Sequence, residues 1–264
     1  MLAPQALAQH TGRRVVAYDR LGFGQSSVRH TPAQHDFIDV EAQQVLPALT
    51  QALGLPRYVL LGHSAGGGMA LRAAGADATI TTDNVQAGEL ACRHNVEKLG
   101  GGGQVVIING PPVSATIDRV AGCRKVLDAA PGIRLLSADR NGGGTSEGGF
   151  AKMTDLLTLF PHIDAVFAIN DPTAIGGDDA ARQAGRSDFF IVGVDGAPKA
   201  KARMKDGNSL IAATVAQMPD KLAQKAVEAG YALIRNQAIP ERTVLIPAVL
   251  LTRDSPPDTE DWSQ

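Results

Sequence analysis

Six short apolar runs recur at regular spacing after residue 78, and they constrain the fold of this chain more than any other feature. The runs are Thr79 to Thr82, Gln104 to Asn109, Ile133 to Ala138, Ala165 to Ala168, Phe189 to Val194 and Ile211 to Ala216. Stretches such as Val105-Val106-Ile107-Ile108 are apolar at successive positions, which is typical of strands buried on both faces. The intervening segments are long enough for crossover helices. The pattern predicts an α/β fold with doubly wound parallel sheets.

Composition and charge exclude several classes of partner. The chain has 264 residues, of which 44% are hydrophobic and 20% charged, and its formal net charge is −2. That near-neutral balance lacks the basic surface that nucleic acid or an anionic membrane requires. No stretch is long and apolar enough to span a bilayer, and the N-terminus lacks the basic and apolar regions of an export signal. We expect no nucleic-acid partner, no membrane span and, for the chain as written, a cytoplasmic location.

The cysteines and the acidic residues offer no metal site. Cys92 and Cys123 lie on separate predicted helices. Two cysteines are too few for a disulfide framework, and their spacing is not that of metal ligands. We therefore expect two free thiols, buried or half-buried in the core. No metal and no cofactor is predicted.

Polar residues follow three of the predicted strands. They are Asn170, Asp195 and Gln217. Ligands of doubly wound sheets collect at the carboxyl ends of the strands, so these side chains are expected near one another. Asn170 and Asp195 could instead form turns, where Asn and Asp are common. Asp171, which precedes Pro172, is predicted to be the N-cap of a helix with proline at its first position.

The sequence around these positions resembles the periplasmic sugar-binding proteins of the ribose-binding type. The segments that carry the resemblance are Thr82-Asp83-Asn84, Phe167-Ala168-Ile169-Asn170-Asp171, Val192-Gly193-Val194-Asp195-Gly196 and Thr214-Val215-Ala216-Gln217-Met218-Pro219-Asp220. The resemblance covers about residues 77 to 253 and implies a sugar or polyol as ligand and an ABC permease as partner. The ligand contacts that it implies are Arg119, Asn170, Asp195 and Gln217. A carboxylate, a guanidinium and two amides offer matched partners to adjacent sugar hydroxyls.

Two features depart from that family or leave a second interpretation open. The family places an aromatic ring against the sugar in the loop after Ala138, but here the loop reads Asn141-Gly142-Gly143-Gly144-Thr145. A smaller or differently shaped sugar or polyol is therefore expected as readily as ribose. Arg119 could also be an ordinary solvated residue near a helix start.

A different motif, Gly62-His63-Ser64-Ala65-Gly66, precedes the six runs. It follows the apolar run Tyr58 to Leu61 and opens an alanine-rich helix, which is the context of a G-x-S-x-G nucleophile elbow. Small residues two positions to either side would let Ser64 expose its hydroxyl. The N–H of Ala65 could then face an oxyanion.

Together with Asp19-Arg20-Leu21-Gly22-Phe23-Gly24-Gln25-Ser26, this motif resembles the α/β-hydrolases. The resemblance implies a carboxylic ester hydrolase with Ser64 as nucleophile and Ala65 as oxyanion donor. That family supplies a histidine and an acid after the serine, but His94 is predicted on a helix and His162 just before a strand. A serine without a base is a poor nucleophile, so we expect no enzyme activity. A serine hydrolase is the alternative function, and a non-functional fusion product is a further one.

The two resemblances meet near residue 76 and predict four segments. These are a hydrolase-like fragment over 1–76, a sugar-binding lobe over 77–218, a returning helix and strand of the other lobe over 219–253, and a disordered tail over 254–264. The fragment is expected to hold strands at Arg14 to Tyr18 and Tyr58 to Leu61 and a helix kinked at Pro47. We expect it to form a hybrid lobe with the helix over 220–234 and the strand over 242–251. In hydrolases a third strand separates the first two, so an unpaired edge is expected.

Overall fold

The computed structural model describes residues 4–20, 24–28, 37–62, 65–75 and 77–255. The chain forms two compact units, one of residues 1–79 with 223–243 and one of residues 80–222 with 244–264. The four predicted segments remain a prediction. Within the described ranges, no helix has the length and apolar character needed to cross a membrane.

Helices and strands alternate through most of the described chain. The α-helices are α1 (Pro4–Thr11), α2 (Phe37–Val40), α3 (Leu46–Ala52), α4 (Ala65–Ala74), α5 (Asn84–Lys98), α6 (Ser114–Asp128), α7 (Ser146–Leu159), α8 (Asp171–Gln183), α9 (Pro198–Lys205) and α10 (Pro219–Ile234). The strands are β1 (Thr79–Thr82), β2 (Gly102–Asn109), β3 (Gly132–Asn141), β4 (Ala165–Ala168), β5 (Phe190–Asp195), β6 (Ile211–Ala216), β7 (Thr243–Ile246) and β8 (Val249–Thr252). All six predicted strands after residue 78 are present, and three of them have the predicted bounds.

A six-stranded sheet with the order β3-β2-β4-β5-β6-β8 forms the centre of the larger unit. Its first five strands pair in parallel, and β8 pairs antiparallel to β6. The predicted α/β class and doubly wound parallel sheet are confirmed. β1 is not part of this sheet, because it pairs with β7 in a separate two-stranded sheet.

Two apolar layers cover opposite faces of the six-stranded sheet. Side chains alternate along a strand, so Val106 and Ile108 of β2 pack in one layer and Val105 and Ile107 in the other. Helices α7, α8 and α9 complete the first layer, and α5 and α6 complete the second. All four β2 residues are fully buried. The apolar runs of the sequence therefore correspond to strands covered on both faces.

The predicted strand over 242–251 is wrong as a single element. It is divided into β7 and β8, with Pro247 between them. Proline has no N–H to donate to a ladder and is therefore excluded from the interior of a paired strand. The chain changes partner at this point, from β1 to β6.

The expectation of two free thiols is also wrong, because Cys92 and Cys123 form a disulfide. Helices α5 and α6 approach closely where Gly88 meets the carbonyl oxygen of Arg119. A Cβ atom on Gly88 would overlap that oxygen. The close crossing brings the Cα atoms of the two cysteines to 5.0 Å, which is within the range of a disulfide. Cysteine spacing in the sequence does not show that two helices will cross in this way.

The smaller unit differs from its prediction at the first two strands. Arg14 to Tyr18 and Tyr58 to Leu61 form no strand, so that prediction is wrong. Their apolar side chains remain well exposed, 40% for Val16 and 55% for Leu61. A strand is stabilised by pairing with a neighbour. The order of strands in hydrolases gives a reason for the difference, since there these two segments flank a third strand.

The distortion expected at Pro47 takes the form of a π-helical segment, Glu41–Val45, between α2 and α3. The N–H of Leu46 donates to the carbonyl oxygen of Glu41, five residues earlier. Proline inside a helix removes one hydrogen bond and crowds the carbonyl four residues before it. A wider turn immediately before Pro47 relieves that crowding.

Candidate functional site

The strand order of the large sheet reverses between β2 and β4. From β2 the chain adds β3 on one side and β4, β5 and β6 on the other. Open α/β sheets bind ligands beside the carboxyl ends of the strands at such a reversal. Asn109, Asp195 and Ala216 are the last residues of β2, β5 and β6, so they lie at this edge. The edge is the candidate ligand site.

Arg119 enters this edge from α6 with its guanidinium buried. The residue is only 6% exposed, so the interpretation as a solvated helix residue is wrong. Its Nη1 donates to the carbonyl oxygen of Ile169 at 2.9 Å and to Oδ1 of Asp195 at 3.3 Å. Its Nε donates to Oδ1 of Asn84 at 3.0 Å. Hydrogen bonds to three separate segments of the larger unit therefore hold the Arg119 guanidinium in place.

Gln217 continues the polar chain on the other side of Asp195. Its Nε2 donates to Oδ1 of Asp195 at 2.7 Å, and its Oε1 accepts from Oγ1 of Thr82 at 2.8 Å. Arg119, Asp195 and Gln217 were predicted as a set, and the structure brings them together. Thr82 and Asn84 complete the chain at its two ends. Both stand in a segment that carried the sugar-binding resemblance, but neither was assigned a role from the sequence.

Asn170 lies at the same edge and serves as the N-cap of α8. Its Oδ1 accepts from the N–H of Thr173 at 3.0 Å, and its Nδ2 donates to the carbonyl oxygen of Gly144 at 2.9 Å. The prediction that Asp171 is the N-cap is therefore wrong by one residue. An amide has two donor hydrogens and a carbonyl oxygen with two lone pairs. Asn170 can thus keep these bonds and still contact a ligand, and that contact stays a prediction.

Asp171 is fully buried behind Asp195. Its Oδ1 accepts from Oγ1 of Thr214 at 2.6 Å, and its Oδ2 accepts from the N–H of Ala197 at 2.7 Å. A Cβ atom on Gly193 of β5 would lie 2.5 Å from its Oδ1. Sequence reasoning assigned this residue to local helix structure, whereas its contacts reach β5 and β6.

Burial dominates the electrostatics of the two carboxyl groups. It raises the pKa of Asp171 to about 7, with a further increase from the charge of Asp195. Burial also raises the pKa of Asp195, while the Arg119 guanidinium and the hydrogen bond from Gln217 act in the opposite direction. One guanidinium therefore faces two buried carboxyl groups, and a charged form of Asp171 is disfavoured near its partner.

The glycine loop after β3 borders the same edge. The N–H of Gly142 donates to the carbonyl oxygen of Asn109 at 2.9 Å. Gly143 and Gly144 have φ values of 66° and 71°, a region that L side chains rarely adopt. The backbone of this loop therefore disfavours an aromatic residue at the two positions.

The predicted hydrolase site is covered only in part. Ser64 and His63 lie outside the described residues, and Ala65 is the first residue of α4. The roles of Ser64 as nucleophile and Ala65 as oxyanion donor remain predictions. His94 lies on α5, and Nε2 of His162 contacts Oδ1 of Asp164 at 2.9 Å. Within the described part of the chain, no group of three or more metal-binding side chains is present.

Comparison with known proteins decides the family. A model described as a periplasmic binding protein domain matches residues 70–238, which is more than half of the chain. The chain belongs to the periplasmic binding protein family. A second model, for the alpha/beta hydrolase fold, matches residues 3–92. The two matches overlap around the junction near residue 76, and both resemblances noted in the sequence are confirmed.

The relatives of this periplasmic binding protein include proteins that are named for the sugar or polyol they bind. The ribose import binding protein RbsB of Salmonella typhimurium is 34% identical over 161 residues, which are 61% of this chain and 53% of that protein. A xylitol-binding protein of Mycolicibacterium smegmatis is 34% identical over 131 residues, 49% of this chain and 37% of that protein. The chain spans about half the length of the ribose-binding relatives it matches.

Solved structures agree with this assignment. An ABC transporter periplasmic solute binding protein of Actinobacillus succinogenes, with bound D-allose, has a TM-score of 0.65 and 27% identity. The match covers 82% of this chain and 74% of that one. The likeness therefore extends beyond the six-stranded sheet of the larger unit.

Proposed function

We propose that this chain binds a small sugar or polyol, as the solute-binding component of an ABC-type sugar transport system or as a remnant of one. The observation that carries the proposal is the continuous polar chain from Asn84 through Arg119, Asp195 and Gln217 to Thr82 at the carboxyl edge of the sheet. The names of its relatives, which refer to ribose, xylitol and D-allose, support the same class of ligand.

The chemistry of this polar chain suits neighbouring hydroxyl groups. A hydroxyl both donates and accepts, so a carboxylate oxygen can accept from it while a guanidinium or amide donates to it. Hydrogen bonds to the charged groups are stronger than those between neutral partners. Asp195 and Arg119 are therefore assigned as the main contacts. Asn170 and Gln217 are assigned as amide contacts at either side.

The glycine loop further restricts which sugars or polyols we expect as ligands. Gly143 and Gly144 carry no aromatic ring. The loop therefore offers backbone groups to a ligand, but no flat apolar surface. Binding then depends on hydroxyl contacts and not on stacking of a sugar face against a ring. A short polyol or a small sugar satisfies these contacts as well as ribose does.

Calorimetric titration with a panel of pentoses, hexoses and polyols tests the proposal. Asp195→Ala is expected to weaken binding of the best ligand by about 30-fold or more, since it removes one partner of a buried charge pair. Asp188→Ala is the matched control, because Asp188 precedes the opposite end of β5. Failure of the whole panel to bind, or equal affinities of wild type and Asp195→Ala, would contradict the sugar site.

The disulfide supports an oxidising compartment for this protein. Disulfides persist in the bacterial periplasm and outside cells, and they are rare in the cytosol. The Cys92–Cys123 bond is buried between α5 and α6. Protein isolated from cells under alkylating conditions should carry no modified cysteine before reduction and two after it. Complete alkylation without reduction would place the chain in a reducing compartment.

A second candidate function is ester hydrolysis by Ser64. It is favoured by the match of residues 3–92 to the hydrolase model, a range that includes the whole elbow motif. Hydrolysis of a short-chain nitrophenyl ester that is lost in Ser64→Ala would support it. Absence of hydrolysis, or equal rates in both proteins, would remove Ser64 as the nucleophile.

A further inference from the structure

Asp195 has a backbone conformation that must be maintained by its surroundings. Its φ is 137°, and that of Gly196 is 74°. A residue other than glycine is strained in this region, because its side chain rarely adopts such a φ value. The conformation places the Asp195 carboxylate against Arg119 and Gln217. Loss of the local restraints would therefore release the central acceptor of the candidate site.

The restraints come from two fully buried side chains, Asp171 and Thr214. The N–H of Gly196 donates to Oγ1 of Thr214 at 3.1 Å, and the N–H of Ala197 donates to Oδ2 of Asp171 at 2.7 Å. The hydroxyl of Thr214 donates to Oδ1 of Asp171 at 2.6 Å, which joins the two side chains. The two residues after Asp195 are thus each held by one hydrogen bond.

Asp171 also packs tightly against β5, the strand that ends at Asp195. The fit is close, because a Cβ atom on Gly193 would lie 2.5 Å from Oδ1 of Asp171. Glycine at position 193 therefore leaves the space that the Asp171 carboxyl group occupies.

We propose that Asp171 and Thr214 are positioning residues that hold Asp195 in its ligand-facing conformation and thereby determine the affinity of the site for a sugar or polyol. The inference rests on the proposed function. It assigns no ligand contact to either residue, since both act through the segment from Asp195 to Ala197.

Thr214→Val gives the first test, because it removes the hydroxyl and keeps the shape of the side chain. Its affinity for the best sugar of the panel is expected to fall by roughly 10- to 100-fold, as the N–H of Gly196 loses its acceptor. Thr214→Ser restores a hydroxyl and should bind within about threefold of wild type. Rescue by serine separates a positioning role from a general packing role.

A matched control is available on the same helix as Asp171. Asp178 is also fully buried in α8, but its Oδ1 accepts from the N–H of Leu210, just before the amino end of β6. Asp178→Asn is expected to lower the stability of the protein and leave the sugar affinity of the folded protein unchanged. Equal losses of affinity in Asp178→Asn and Thr214→Val would overturn the inference.

Amide hydrogen exchange in the ligand-free protein provides a readout that does not depend on sugar binding. The N–H groups of Gly196 and Ala197 should exchange faster in Thr214→Val and in Asp171→Ala, relative to those of β4. Asp178→Asn should leave both unchanged. If Thr214→Val does not fold, Asp171→Ala is assessed with the same two measurements.

The two hypotheses fail in different ways. Absence of binding by the wild type removes the proposed function, and exchange at Gly196 and Ala197 then decides the positioning role. Binding by the wild type with unchanged affinity in Thr214→Val and Asp171→Ala overturns the inference and leaves the proposed function intact. Unchanged exchange at both amides in both variants also overturns it.

Discussion

The guanidinium of Arg119 is the only cation among the described partners of Asp195, and the charge balance of the candidate site depends on it. Asp171 is fully buried and the side chain of Asp195 is only 16% exposed, so little bulk water can stabilise a negative charge on either carboxyl group. A buried ion pair adds little stability compared with apolar residues, but removal of one partner leaves the other uncompensated. Stability therefore does not account for this pair, whereas the ligand contact proposed above would.

Arg119→Ala is expected to reduce the free energy of unfolding by about 3 kcal/mol, since it leaves Asp195 buried without its cation. Urea-induced unfolding followed by circular dichroism measures this change. Arg124→Ala is the control, because Arg124 is exposed on the same helix, and its effect should stay within about 0.5 kcal/mol. Equal stabilities of the two variants would show that the guanidinium does not compensate the carboxylate.

The raised pKa of Asp171 predicts a loss of stability with increasing pH. The folded state keeps the proton until about pH 7, whereas the unfolded chain loses it near pH 3.8. Its contribution is therefore complete below about pH 4 and is lost as pH rises through 7. The charged groups that face Asp171 are Asp195 and Arg119.

The measurement compares wild type with Asp171→Asn, which has no carboxyl proton at this position. The difference in unfolding free energy, wild type minus variant, should decrease between pH 5 and pH 8. Other titrating groups are common to both proteins and largely cancel. Parallel stability curves would show that Asp171 keeps an ordinary pKa in the folded protein.

At the scale of elements, the crossing of α5 and α6 organises one side of the site. Asn84 begins α5, and Arg119 lies on α6, so their hydrogen bond joins the two helices at the edge of the sheet. The disulfide joins the same helices at Cys92 and Cys123. Close packing through Gly88 allows both links to form.

Removal of the disulfide, in the double variant Cys92→Ala and Cys123→Ala, is expected to cost about 3 to 4 kcal/mol of unfolding free energy. The bond closes a loop of 31 residues, which restricts the unfolded chain. Chemical unfolding of wild type with and without a reductant should show the same difference. The double variant is the control, because a reductant should not change its stability. A wild type equally stable after full reduction would contradict the prediction.

At the scale of the whole molecule, residues 1–79 group with residues 223–243 in one compact unit. This grouping contradicts part of the hybrid-lobe hypothesis, because residues 244–264, which include β8, belong to the larger unit. The remaining hypothesis is that the hydrolase-like fragment forms a lobe with the helix over 220–234. It implies that the hydrolase-like fragment is a folded part of the protein. The function proposed above needs only the larger unit for its polar chain, since every residue of that chain belongs to it.

Limited proteolysis tests the hybrid lobe. If the fragment is folded, residues 37–75 should be cut no faster than the loops of the larger unit, because cleavage requires exposed and unfolded backbone. Mass spectrometry of the fragments over time gives the order of cleavage. A resistant core that begins near residue 77, formed while the first 75 residues are digested rapidly, would contradict the hypothesis.

The amino-acid sequence alone is sufficient to predict the α/β class and the six strands after residue 78. Burial on both faces requires apolar residues at successive positions, as in β2, and that pattern is local. It also determined which edge of the sheet carries polar residues, because Asp195 and Gln217 end or follow their strands. Arg119, Asp195 and Gln217 are neighbours in the structure, and their role as ligand contacts stays a prediction.

Two features become visible only when the chain is folded. They are the hydrogen-bond partners of the site side chains and the predicted strands that find no neighbouring strand. Thr82 meets Gln217 across 135 positions, and Arg119 meets Asn84 across 35. No local pattern encodes such contacts, because they depend on how the strands order and the helices cross. The disulfide and the absence of a strand at Arg14 to Tyr18 have the same explanation. A disulfide needs two helices that cross, and a strand needs a neighbouring strand, so both depend on parts of the chain that are distant in sequence.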